Sequence, residues 1–180
     1  MNNFQFLNLN IPLFREGITV NDLPKNHIAV IDKDKLINEK IFHFFESLNL
    51  KISFVETFYK TPEASGSIHT DSVGGDYVKL NWIFGAGDSE MCWYRPKAGL
   101  EKKPLFTDTN TRYLSYSQDE VEEITRIKLK NPTLVQVGIP HNIVNVTEDR
   151  YCVSIIFENG KRPSMQESIE IFKDYIIGSE

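Results

Sequence analysis

The residues best placed to do chemistry are His69, Asp71 and His141, with Arg150 nine positions beyond the second histidine. Two imidazoles and one carboxylate make a ligand set that holds Fe(II) on one face and leaves the opposite positions open for substrate and oxygen. A guanidinium just past the last ligand suits a dicarboxylate bound at those positions. The short motif proves little alone. With 4 His and 25 acidic residues in 180 positions, chance supplies about half a His-x-Asp/Glu pattern, and one occurs. His27, His43 and His141 are followed two positions on by Ala29, Phe45 and Ile143, so none of them competes. Each residue also has an ordinary reading: a surface histidine, a turn aspartate, a loop histidine, a surface cation. The case rests on their order and on the elements that carry them.

His69 and Asp71 are separated by one residue, so on a strand both side chains point to the same face while Thr70 points away. A helix would splay them by about 200°. The loop Glu63 to Ser67 and the pair Gly74-Gly75 set this strand near a sheet end, open to solvent. His141 follows Gly138-Ile139-Pro140, where proline restricts its own φ and the residue before it, which aims the imidazole. A turn at Thr147-Glu148-Asp149 returns the chain, so Arg150 can reach the same cavity as His141. Arg150, Cys152 and Ser154 then share one strand face, and Tyr151, Val153 and Ile155 the other.

Around these residues the pattern is mostly of strands. Leu7, Leu9 and Ile11 alternate with Asn8 and Asn10, which predicts a half-buried strand. Asp32 to Leu48 carries Leu36, Ile37, Ile41, Phe44, Phe45 and Leu48 at helical spacing, which predicts one amphipathic helix with His43 as an ordinary member. Strands are expected at Ile52–Tyr59, Ser67–Asp71, Tyr77–Gly85, Glu90–Tyr94, Thr111–Ser117, Glu123–Leu129, Thr133–Gly138 and through Val144–Glu158. Turns fall at Gly87-Asp88 and Asn131-Pro132. Ser164 and Glu167 form a capping box ahead of a last helix with Ile169, Ile171, Phe172 and Ile176. Trp82, Trp93, Tyr94 and Tyr113 read as core aromatics first and as cavity lining second. Lys97 to Arg112 reads as a solvated connection, with a substrate-covering loop as the alternative. The sum is a single domain over residues 1–180, mainly β. About eight antiparallel strands with helices at both ends match a double-sheet jelly roll.

Composition narrows the classes. A hydrophobic fraction of 41% and an aromatic fraction of 12% argue for a packed core rather than disorder. Net charge is −5 and the cations are scattered, so no nucleic-acid surface is expected. The N-terminus lacks a cationic lead and an apolar run, so no signal peptide is expected, and no stretch approaches the roughly 20 apolar residues of a membrane span. Two cysteines, Cys92 and Cys152, suggest neither a disulfide framework nor a zinc module. A reduced, cytoplasmic protein is expected, of unknown oligomeric state.

The run from Ser67 to Phe157 resembles the Fe(II)/2-oxoglutarate-dependent dioxygenases, in particular their prolyl- and aspartyl-hydroxylase-like branches. The matching pieces are Ile68-His69-Thr70-Asp71, Leu80-Asn81-Trp82-Ile83-Phe84, Met91-Cys92-Trp93-Tyr94, Ile139 to Asn145, and Arg150-Tyr151-Cys152-Val153-Ser154-Ile155. They cover about half the chain. The resemblance implies a double-stranded β-helix (a cupin-like jelly roll) in which His69, Asp71 and His141 bind Fe(II). It implies that Arg150 pairs with the distal carboxylate of 2-oxoglutarate, and that an unidentified substrate is oxidised by O2 with release of succinate and carbon dioxide. Many members carry serine two positions beyond the arginine; here it is Cys152, a poorer hydrogen-bond partner. Tyr59, ten residues before His69, and Asn81, polar in an apolar strand, are further co-substrate candidates, with Lys79 as the alternative carboxylate partner. The rival readings are a metal-dependent cupin enzyme that does not use 2-oxoglutarate, a non-catalytic binding module, and a structural assembly protein.

Overall fold

The chain folds, in a computed structural model that describes residues 2–62, 66–73, 75–85, 87–107, 111–129 and 132–177, into strands far more than helices. The strands are β1 (Phe4–Phe6), β2 (Ala29–Ile31), β3 (Lys51–Lys60), β4 (Ile68–Thr70), β5 (Val78–Gly85), β6 (Glu90–Pro96), β7 (Leu105–Phe106), β8 (Arg112–Tyr116), β9 (Val121–Ile127), β10 (Thr133–Gln136), β11 (His141–Val144) and β12 (Arg150–Glu158). The helices are α1 (Lys33–Leu36), α2 (Glu39–Ser47) and α3 (Met165–Ile171). The strands form two antiparallel sheets of six, in the orders β1-β10-β5-β12-β3-β2 and β7-β8-β4-β11-β6-β9. The count therefore exceeds the eight or so expected; β1, β2 and β7, two or three residues each, are too short to show a period of their own.

Side-chain alternation sorts the first sheet into two faces. Val78, Leu80, Trp82, Val153 and Ile155 pack with the helices, Phe44 and Phe45 of α2 and Phe172 beyond α3 among them. The opposite face of β5 and β12 presents Lys79, Asn81, Arg150, Cys152 and Ser154, which line a cavity with residues of the second sheet. Beside that cavity, Tyr77, Met91, Trp93, Val135, Val137 and Ile156 join the two sheets through one apolar cluster. Trp82 is thus core, and Trp93 is fully buried with its indole N–H on the Gln136 carbonyl.

Several expectations are corrected. Residues Leu9 and Ile11 are not in a strand; pairing starts earlier, at β1, and Leu7 makes only an isolated bridge to Ile176. Leu9 and Ile11 pack against the helical core from irregular backbone. The helix expected over Asp32–Leu48 is two, because Ile37 is extended (φ −86, ψ 135) and the Asn38 side chain caps the next helix by accepting from the Lys40 N–H. Competition from that short amide outweighs the apolar period. The connection Lys97 to Arg112 contains β7, whose Leu105 and Phe106 are exposed. The capping box at Ser164 and Glu167 is present. Asn131, Gly74 and residues 63–65 lie outside the described residues. Among the described residues no helix is long and apolar enough to cross a membrane.

Glycine is required where β5 ends against the turn that leads into β12. Gly85 has φ +69, and a Cβ there would overlap the Asp149 carbonyl oxygen. Gly85 is the register partner of Arg150, so this close approach fixes the start of β12 and with it the guanidinium.

Candidate metal centre

β4 and β11 pair antiparallel with His69 directly opposite His141. The ring centroids are 4.7 Å apart. Asp71 stands one residue past the end of β4, its backbone N–H donating to the Val137 carbonyl at 2.8 Å. Thr70 turns away, as the alternation requires, and its hydroxyl accepts from the Leu114 N–H. The potential ligand atoms of His69, Asp71 and His141 all lie within 4.8 Å of one another.

Both imidazoles are oriented by their inner nitrogens. His69 Nδ1 meets the Ser67 carbonyl at 2.9 Å and His141 Nδ1 meets the Ile139 carbonyl at 2.9 Å. A carbonyl only accepts, so Nδ1 carries the proton in both rings, and in the neutral form Nε2 is left as the lone-pair donor. Each Nε2 faces Asp71 Oδ1, at 3.3 Å from His69 and 3.6 Å from His141. Pro140 precedes His141 and Ile139 supplies the carbonyl, so the restricted stretch orients the ring through its backbone.

Asp71 divides its two oxygens. Oδ1 faces the imidazoles, while Oδ2 takes an ion pair from Lys79 Nζ at 2.5 Å; Lys79 also pairs with Glu56 Oε2 at 2.7 Å. Lys79 is 4% exposed. Burial alone raises the Asp71 carboxyl, but Lys79 and the two imidazoles outweigh it and hold the group well below the usual carboxylate range. Burial likewise opposes the Lys79 charge, and Asp71 and Glu56 more than restore it. His141 is pushed down to about 4, chiefly by burial, with Asp71 opposing and His69 adding to the effect. His69 is raised: burial opposes its charge, and the hydrogen bond and charge of Asp71 prevail. Asp71, Glu56 and Lys79 sum to one negative charge beside two imidazoles. This donor set fits a divalent cation, with Asp71 bound through one oxygen and the imidazoles through Nε2.

The cavity beside these groups holds about 140 Å³. Arg150 lines it, with its Nε unpartnered and burial pushing its guanidinium down. Cys152 lines it with Sγ 3.5 Å from Ser154 Oγ, and burial pushes its thiol up. Asn81 lines it too, its Oδ1 accepting from the Ser154 hydroxyl at 2.7 Å. Tyr59 borders the cavity but turns its ring onto Tyr151, and its hydroxyl donates to Asp149 Oδ2 at 2.8 Å. Alternation on β3 sends Tyr59 to the helix-facing side and Lys60 inward, which is why the neighbour, and not the tyrosine, sits opposite Arg150. Tyr94 bonds through its hydroxyl to Asn142 and, like Trp82, Trp93 and Tyr113, is absent from the described cavity wall.

The Glu56–Lys79–Asp71 chain and Lys60 lie outside the site expected from the sequence. The signal for Lys79 was present: in Val78-Lys79-Leu80-Asn81-Trp82 the two polar residues alternate with apolar ones, so both face away from the helices.

No family model and no curated protein matches the chain. A solved structure to which it is similar is that of Peruvianin-I, a cysteine peptidase from Thevetia peruviana latex. The identity is 13%, over 91% of this chain and 97% of that one, with a TM-score of 0.33. A likeness at that level carries no argument about fold or function.

Proposed function

We propose that this chain is an Fe(II)/2-oxoglutarate-dependent oxygenase, a hydroxylase of a peptide side chain or small molecule, built on a double-stranded β-helix. The observation that carries the reading is the polarity of a single cavity. At one side are two oriented imidazoles and a carboxylate oxygen, with net negative charge; at another is a buried guanidinium that no acid partners among the described residues.

Strand order supports the architecture. Apart from β1, β2, β7 and β8, the sheets run β10-β5-β12-β3 and β4-β11-β6-β9. From β3 to β6 the chain alternates between the sheets, and from β9 to β12 it does so again, the order of two interleaved Greek keys.

Fe(II) bound at His69, Asp71 and His141 would supply oxygen activation coupled to loss of carbon dioxide from 2-oxoglutarate. The protein's own share is positioning. The Ser67 and Ile139 carbonyls hold the imidazole Nε2 atoms toward Asp71, and Lys79 occupies Oδ2 so that only Oδ1 is offered. Arg150 takes the far carboxylate of the keto acid by charge-assisted hydrogen bonds.

The test is an anaerobic thermal shift with Fe(II) or Mn(II), with and without 2-oxoglutarate. Metal-dependent stabilisation by the keto acid is the expected result. Stabilisation by metal alone selects a cupin-type metal enzyme of another class. The Lys79–Asp71 ion pair favours one further reading, a binding module in which lysine takes the place of the metal; absence of any divalent-metal response selects that one.

A further inference from the structure

Lys60 and Arg150 are direct register partners on β3 and β12, and both line the cavity. Like charges set opposite each other on neighbouring strands repel. Neither cation is balanced by an acid among the described residues. Burial and Arg150 act on Lys60, while burial and the Cys152 thiol act on Arg150. Asp149, adjacent to Arg150 in sequence, is turned instead to Tyr59 and Lys25. Arg150 is 5% exposed and its Nε has no partner. Lys60 reaches from the first sheet to the second and donates to the Ile143 carbonyl at 2.9 Å. An ammonium has three donors, so that bond leaves two for a ligand. Two cations so placed call for an anion that none of the described residues provides.

We infer that Lys60 and Arg150 together grip one carboxylate of the bound keto acid, Lys60 supplying from β3 the contact that the Cys152 thiol on β12 supplies poorly. The inference rests on the oxygenase reading above and adds to it a ligand-binding residue. It also makes co-substrate binding proton-linked. Burial, then Arg150, lowers the Lys60 ammonium to about 8 in the ligand-free protein. The charged or titratable groups lining the same cavity from other segments are Arg150 and Cys152 on β12, Lys79 on β5, His69 and Asp71 at β4, His141 on β11, and His27 ahead of β2. Above pH 8 the free protein loses the Lys60 proton, and the grip weakens.

The experiment is calorimetric titration of Mn(II)-loaded protein with 2-oxoglutarate at pH 7.0 and pH 9.5, on wild type, Lys60→Met and Lys60→Arg. Each protein is first titrated with Mn(II) alone, to show that the metal site is intact. Lys60→Met is expected to bind 2-oxoglutarate about 10-fold or more weaker at pH 7.0, with Mn(II) affinity unchanged. Wild type is expected to weaken above pH 8 by up to about tenfold per pH unit, while Lys60→Arg, always charged, holds its affinity to pH 9.5. If Lys60→Met binds as tightly as wild type and shares its pH profile, the Lys60 assignment is overturned and the oxygenase reading stands. If wild type loaded with Mn(II) shows no heat with 2-oxoglutarate, the reading itself falls, and the inference with it.

Discussion

His69 and His141 face each other across two hydrogen-bonded strands, ring to ring, and each is tethered through Nδ1 to a carbonyl two residues before it in its own chain segment. The spacing of the two nitrogens is therefore set by strand pairing, not by side-chain freedom. His69→Ala or His141→Ala is expected to abolish Mn(II) binding in a calorimetric titration, and succinate formation with it. Retention of full activity by either variant ends the assignment of that residue.

Lys79, itself buried, neutralises two half-buried carboxylates at once, Asp71 and Glu56. Removing one partner from a buried charge cluster leaves the other uncompensated, at a cost of about 3–5 kcal/mol. Lys79→Met is expected to lower the metal-free protein's urea midpoint accordingly, and Lys79→Met/Glu56→Gln to recover part of the loss. Saturating Mn(II) is also expected to recover part of it, because the ion replaces the missing positive charge beside Asp71. A Lys79→Met protein as stable as wild type would mean that the cluster contributes nothing to the fold.

The Lys60 ammonium, lowered to about 8 in the fold against 10.5 for the free side chain, gives a stability trend of defined sign. Between those two values the unfolded chain binds more protons than the folded one, so stability rises with pH. The penalty for housing the charge is fully present below pH 8 and is gone above 10.5. Ligand-free wild type is therefore expected to gain on Lys60→Met as pH rises from 8 to 10, measured as the difference in urea midpoints. A difference that stays constant would mean that the lysine titrates as it does in water.

Gly85 couples backbone geometry to the placement of Arg150. An added methyl meets the Asp149 carbonyl at a φ that L residues seldom adopt, which places the cost of Gly85→Ala above the 1 kcal/mol or so of an ordinary glycine replacement. Because Gly85 pairs with Arg150, 2-oxoglutarate affinity is expected to fall more than Mn(II) affinity. Arg150→Ala is expected to lower 2-oxoglutarate affinity about 10–100-fold and to leave Mn(II) binding in place. If Gly85→Ala weakens both ligands equally, the turn acts on the whole cavity and not on the guanidinium alone.

Much of this arrangement was written locally in the chain. Period-two alternation located β3, β5 and β12 and the face on which Arg150, Cys152 and Ser154 lie, and the one-residue gap between His69 and Asp71 set their shared direction. Other parts were decided by partners distant in sequence. Leu9 and Ile11 alternate as a strand would, yet they lie outside the sheets while β1 pairs with β10. Asn38 sits inside a helical apolar stripe and still ends one helix and starts another, because its amide caps locally. The pairing of Lys79 with Glu56 joins β5 to a strand that is two places away across β12. No spacing within either segment shows it. Tyr59 and Lys60 differ by a single register step, and only the alignment with Tyr151 and Arg150 says which of them looks inward.

The side chain of His69 is 36% exposed and that of His141 only 7%. Of the two rings, a cation held between them meets solvent on the His69 side. It would arrive and depart past the outer ring, so the lifetime of the loaded state would be governed by the three-residue strand β4 rather than by the interior. A chelator would strip it from that side first.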